Sequence, residues 1–233
     1  MTINRPGLPT DLPPAERLWA RWALLAALRA TAEAEARPSV HRRGRWIDEV
    51  GLHWDDSGCT WWIFESLGEG RFVLYGEDES SAVKWYEPAI DVLAGGPDWL
   101  PYAELRERIA GWEIGCVYWY ENGAWARAPY PEDLDDDGLD CGIGEFADRD
   151  DVLRTVRFNL ADRTDAEGAE RFLADAESYR LDPAALPAAL GATNGDGDPI
   201  DQPAVLRALT RAGLAGAAGQ AEARAQGPAP IGE

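Results

Sequence analysis

The chain has 233 residues, 45% hydrophobic and 27% charged, a globular composition with room for one large domain or for a domain of roughly 130 residues beside a smaller one. A formal net charge of -20 argues against nucleic acid, anionic membranes and phosphate-rich ligands, and favours a basic protein as partner. Three cysteines (Cys59, Cys116 and Cys141) at no metal-ligand spacing, no leader pattern and no apolar run of about 18 residues place the expected setting in the cytoplasm, without disulfide, metal or cofactor.

Residues 1–12 carry no periodic pattern and are expected to be disordered. Leu18, Trp22, Leu25 and Leu28 then recur at helical spacing, widened by Trp19. They predict one helix from the Pro13-Pro14 pair to Ala36, with Asp11 as its N-cap and Pro38 as its stop. Its apolar stripe is expected to pack on a sheet. His41, Arg42, Arg43 and Arg45 form the basic cluster of the chain, read as a charged turn before a strand, with a small anion patch as the alternative. That strand is expected over 46–54, with Gly51 as a bulge.

The stretch 54–86 organises the rest. Residues 60–64 and 72–75 are aromatic and β-branched, separated by a polar break at Gly68 and Gly70, and predict a hairpin. One face is expected to carry Trp61, Ile63, Phe72 and Leu74, and the other Trp62, Phe64, Val73 and Tyr75. With both faces apolar, each must be covered or one must bind a partner. An acidic loop over 76–81 follows, then a helical turn over 90–97 and a helix over 101–110 with Leu105 and Ile109 inward. A second hairpin pairs 114–120 with 125–128 around Asn122-Gly123, a strong short-range turn signal.

Residues 132–151 hold ten acids and one arginine, read as a surface loop. Asp133, Asp135, Asp137 and Gly138 match the first, third, fifth and sixth places of a calcium loop, but Gly144 stands where the closing glutamate belongs. Helices follow: Val152, Val156 and Leu160 on one face, then 165–180 capped by Thr164 or Asp165, then 182–190 and 201–213. The expected organisation is a Trp-rich α+β domain over 13–130, an acidic loop over 131–149, a helical extension over 150–215 and a disordered tail over 216–233. The expected fold class is α+β: an antiparallel Trp-rich sheet of β-hairpins packed by an N-terminal helix, with a C-terminal helical region.

No nucleophile elbow, phosphate loop, zinc-protease or dinucleotide motif is present, and His53 with Asp55 has no placed nucleophile, so no catalytic residue is assigned. The candidate binding residues are an aromatic–acidic rim of Trp62, Tyr75, Glu77, Asp78, Glu79, Trp85, Tyr120 and Trp125, joined by Asp133, Asp135, Asp136 and Asp137. Rings beside carboxylates suit a protein hot spot that meets a basic partner. The alternatives are a small-molecule binder or hydrolase-like enzyme using the same cleft, and a structural component of an assembly.

Four segments, 70–81 (GRFVLYGEDESS), 91–101 (DVLAGGPDWLP), 114–131 (IGCVYWYENGAWARAPYP) and 135–139 (DDDGL), resemble an uncharacterised family of actinobacterial, Streptomyces-type, cytosolic proteins. The resemblance covers roughly residues 14–160 and implies a fold and a compartment but no activity. The chain is also similar in type, with no shared motif, to the immunity proteins of polymorphic toxins. Those are small acidic α+β proteins that bind and block a toxin, and the likeness implies an inhibitor that occludes a basic partner.

Overall fold

Six strands join consecutively into one antiparallel sheet of order β1-β2-β3-β4-β5-β6 in the computed structural model, which describes residues 2–38 and 41–216. They are β1 (Gly44–Ile47), β2 (Leu52–Asp55), β3 (Thr60–Ser66), β4 (Phe72–Asp78), β5 (Cys116–Glu121) and β6 (Ala124–Arg127). The helices are α1 (Ala15–Ala27), α2 (Ala32–Ala36), α3 (Tyr102–Ala110), α4 (Asp140–Ala147), α5 (Arg149–Asn159), α6 (Ala166–Glu177), α7 (Leu186–Ala189) and α8 (Gln202–Arg211). This is the expected α+β class, with α1 packed on the sheet. The expected tail over 216–233 lies outside the described residues apart from Gly216.

Helix α1 is the axis of the larger core. It is buried on almost every side, not along one stripe, because α4, α5, α6 and α8 close over the side that faces away from the sheet. The amphipathic reading of α1 therefore falls short: a helix hydrophobic all round is one enclosed by neighbours. Even Arg21 is buried, its guanidinium donating to Glu177 at 2.7 Å and to the Ala147 carbonyl at 2.6 Å. The helix also ends earlier than expected. Thr31 caps a separate short α2 by accepting from the Ala34 amide, and this splits the predicted helix in two.

Asp11 does not cap α1. Its carboxylate accepts from the Asn4 amide, the Asn4 side chain and the Leu8 amide, so it ties down residues 3–11. Ile3 and Gly7 are buried there, which corrects the expectation of a disordered start.

The predicted 46–54 strand is two strands. Asp48 Oδ1 accepts from the amides of Val50 and Gly51, folding 48–51 into a turn that sets Trp46 opposite His53. The β3–β4 hairpin forms, but its register differs by one residue from the reading above. Ile63 pairs with Tyr75 and Phe64 with Leu74. The α1 face therefore carries Trp62, Phe64, Phe72 and Leu74, and the opposite face Ile63, Val73 and Tyr75. A slip of one residue exchanges the faces of a whole strand, and with apolar side chains on both, nothing in the alternation distinguishes them. The second hairpin turns at Asn122 and Gly123, with φ of +53° and +82°. This is the left-handed pair a two-residue turn needs.

The long β4–β5 connection covers the second face with Val83, Val92, Leu93, Leu100, Leu105 and Ile114. Residues 92–95 within it form a turn instead of a helix. Both faces of the sheet are thus internally covered. The helices over 150–215 share the α1 core, which runs continuously from Ile3 to Ala215. Among the described residues, no helix is long and apolar enough to cross a membrane.

Candidate functional site

The expected rim divides sharply. Trp62 and Tyr75 are fully buried on opposite faces of the sheet. Trp62 Nε1 donates to the Cys141 carbonyl at 2.7 Å, and the Tyr75 hydroxyl donates to Glu65. Tyr120 and Trp125 pack edge-to-face in the α1 core, and Trp125 Nε1 donates to the Pro13 carbonyl. These four rings belong to the core and not to a surface. Asp78 is also buried, held by the Thr60 hydroxyl and the Ser80 amide.

The acidic segment is not a solvated loop. Asp140–Ala147 is helical with a kink at Gly142, whose φ is +90°. A side chain there would run into the Trp54 ring, so glycine serves both backbone and packing. The carboxylates point to different partners. Asp133 accepts from the Tyr86 hydroxyl, while Asp136 receives the Gly138 amide and faces Arg5. Asp137 is buried against Gly7, Leu139 and Tyr118, and Glu145 pairs with Arg45. Asp148 caps α5. Asp133, Asp135 and Asp137 consequently do not converge as a calcium loop would require, and no group of three potential ligands gathers anywhere among the described residues. At 194–198, Asn194 accepts from the amides of Asp196 and Asp198 and closes its own turn.

Reactive groups are equally dispersed. His53 stacks on Trp46 with Nε2 2.7 Å from Asp48 Oδ1, while Asp55 faces Arg43. The Cys59 thiol beside Glu79 is pushed up to about 11, burial does the same to Cys141, and burial raises Cys116 well above its usual range. None is held as thiolate. For Asp48, burial works against ionisation, but hydrogen bonds from His53 and two amides outweigh it and bring the carboxyl from 3.8 to about 2. A depressed carboxyl stabilises the fold above its unfolded pKa. We therefore expect about 2 kcal/mol to be lost as pH falls from about 4 to about 2, and Asp48→Asn to remove that slope in urea titrations across the interval.

What remains at the surface is a different site. Trp85 is 72% exposed and Trp112 57% exposed, and the two rings pack on each other at 5.3 Å. Lys84 joins them: its ammonium donates to the Trp112 carbonyl and pairs with Glu77. Trp112 occupies the left-handed position just past α3, with φ +62°. The Glu113 amide donates to the Arg108 carbonyl and the Trp112 amide to the Ile109 carbonyl, the bonding pattern of a helix end that ordinarily places glycine there. The exposed carboxylates Glu87, Glu113, Asp133 and Asp135 lie on the segments that carry this pair or are bonded to them. The Ala82 amide donates to the Asp136 carbonyl, and Tyr86 holds Asp133. Glu79 is exposed at the start of the same connection. Of the expected residues, Trp85, Glu77, Glu79, Asp133 and Asp135 thus stay accessible or half-buried, whereas Asp136 and Asp137 do not. Trp112 escaped the sequence reading because nothing local says that a ring just past the end of the 101–110 helix faces water.

Compared with protein-family models, with curated proteins and with solved structures, the chain finds no match.

Proposed function

We propose that this chain is an acidic protein-binding module that occludes a basic partner, in the manner of an immunity or antitoxin-like inhibitor, and docks it through the Trp85–Trp112 pair. The observation that carries the reading is Trp112 itself. A bulky residue in the left-handed region costs about 1–2 kcal/mol relative to glycine, and exposing the ring gains the fold little in return. Strain of this kind is retained where a side chain is needed by something else. Two exposed indoles packed on each other, their planes tilted by 50°, and ringed by polar groups suit the anchor of an interface. The carboxylates around them and the net charge of -20 suit a basic surface and fast, salt-sensitive encounter.

The test is a pull-down from the source lysate with mass measurement, at low and high salt, using the wild type, Trp85→Ala/Trp112→Ala and Trp112→Gly. The expected result is a basic protein held at low salt, released at high salt, and lost with both variants. Trp112→Gly should meanwhile unfold at no lower urea concentration than the wild type, because glycine relieves the backbone. Retention of the same partner by both variants would remove the indole pair from the interface. A clear loss of stability in Trp112→Gly would show the ring serving the fold.

A further inference from the structure

On the other side of the sheet, a cavity of about 540 Å³ opens between β1 and the helices α1, α2 and α8. Its lining reverses the charge of the chain. Arg29, Arg37, Arg42, Arg43 and Arg45 face three carboxylates, Glu35, Asp55 and Asp56, with His41 beside them. Five of the 22 basic residues thus meet at one opening in a chain of net charge -20. Part of this charge is engaged by the fold. Arg45 forks onto Glu145, Arg42 donates to the carbonyls of Glu35 and Arg37, and Arg43 reaches Asp55 at 3.4 Å. Arg37 pairs with Glu33 where both are exposed, a contact of little worth in water. The Arg29 guanidinium and the His41 ring have no hydrogen-bond or ion-pair partner among the described residues, yet both line the cavity. The floor is apolar: Ala26, Ala30, Ile47 and Ala208, with the half-buried Trp54 at one side.

We infer that this cavity is a binding site for a phosphate monoester carried on a body of nucleoside size. The guanidiniums of Arg29, between α1 and α2, and of Arg37, just past α2, with the His41 ring beside them, can meet the several oxygens of a phosphate. The volume falls within the range of small-molecule sites, and the alanine floor offers the rest of such a molecule an apolar seat. A local excess of arginine also explains how a strongly acidic chain can accept an anion at all: the opposing field of the distant carboxylates is screened within about a Debye length, while the arginines act at contact. The site is independent of the indole pair, which lies on the opposite face of the sheet.

Isothermal titration of the full chain with AMP, with inorganic phosphate and with adenosine decides the matter. AMP is expected to bind at least about tenfold more tightly than either component, and Arg29→Ala to weaken AMP about tenfold, the effect of one charged hydrogen bond. Arg154→Ala, exposed and outside the cavity, should leave AMP affinity unchanged, and urea unfolding of Arg29→Ala should match the wild type because the side chain is exposed. The proposal fails if AMP does not bind the folded protein. It also fails if adenosine or phosphate alone binds as well as AMP, or if Arg29→Ala binds AMP like the wild type.

Discussion

Replacing Trp22 with alanine is expected to destabilise the protein by about 4 kcal/mol, enough to consume much of the stability of an ordinary domain. Trp22 is fully buried and lies where three parts of the chain meet. Its ring stacks flat on Phe146 of α4, centroids 4.2 Å apart and planes 3° apart, and packs at 6.0 Å on Phe64 of β3. Its Nε1 donates to the His53 carbonyl of β2. Truncation removes the apolar contact, the stacking and the hydrogen bond together, and leaves a cavity that neighbours anchored in a sheet and a helix cannot refill. Urea denaturation should show a lower midpoint with an unchanged slope. Phe146→Ala should be nearly as damaging, and the double variant should recover about 1 kcal/mol of coupling. A Trp22→Ala loss below about 1 kcal/mol would mean that α4 and the sheet do not share this core.

The second large effect concerns Asp137, where alanine and asparagine should differ. Asp137 Oδ1 accepts from the Gly7 and Leu139 amides, and Oδ2 lies 2.6 Å from the Tyr118 hydroxyl. That hydroxyl is also 2.7 Å from the Gly7 carbonyl. It has one proton and faces two acceptors, and the Gly7 carbonyl also receives Arg127 Nε at 3.0 Å: with Asp137 ionised the hydroxyl donates to Oδ2, and with Asp137 protonated the acid donates to Tyr118 and Tyr118 to Gly7. Burial, the largest influence, raises the Asp137 carboxyl despite the bonds that favour its charge. Asp137→Ala should therefore cost about 3 kcal/mol by leaving buried donors and acceptors unpaired. Asp137→Asn, whose amide donates where the protonated acid does, should cost less than about 1 kcal/mol. The sign of the pH dependence follows. With a raised folded pKa, the native state holds more protons, so the contribution of Asp137 is complete below its unfolded pKa and is lost as pH rises through the folded one. Asparagine should flatten this slope. Equal and large losses in both variants would show Asp137 ionised in the fold.

Both residues illustrate how unevenly the sequence discloses this molecule. Local signals were readable wherever neighbours in the chain complete the interaction. Asn122-Gly123 makes its own turn between two paired strands, and Asp165 accepts from the amide three residues onward. The signals misled where the partner is remote. Asp137 looked like part of a solvated acidic run, yet its bonds reach Gly7 and Tyr118 across 130 and 19 residues. Trp22 and Trp85 are the same residue type, one sealed and one 72% exposed, and only the helices that close over α1 make the difference.

The sequence by itself determined the α+β class, the two Gly-containing hairpins and the helices near 101–110, 150–160, 165–177 and 201–211, because periodicity and turn chemistry act over a few residues; it did not disclose the breaks inside 13–36 and 46–54 or the helix within the acidic segment. Tertiary structure alone decided which face each strand presents, which carboxylates are buried, and which aromatic rings meet water. A sheet apolar on both faces carries no contrast to set its register, and the burial of a charge or a ring is settled by groups brought from elsewhere in the chain.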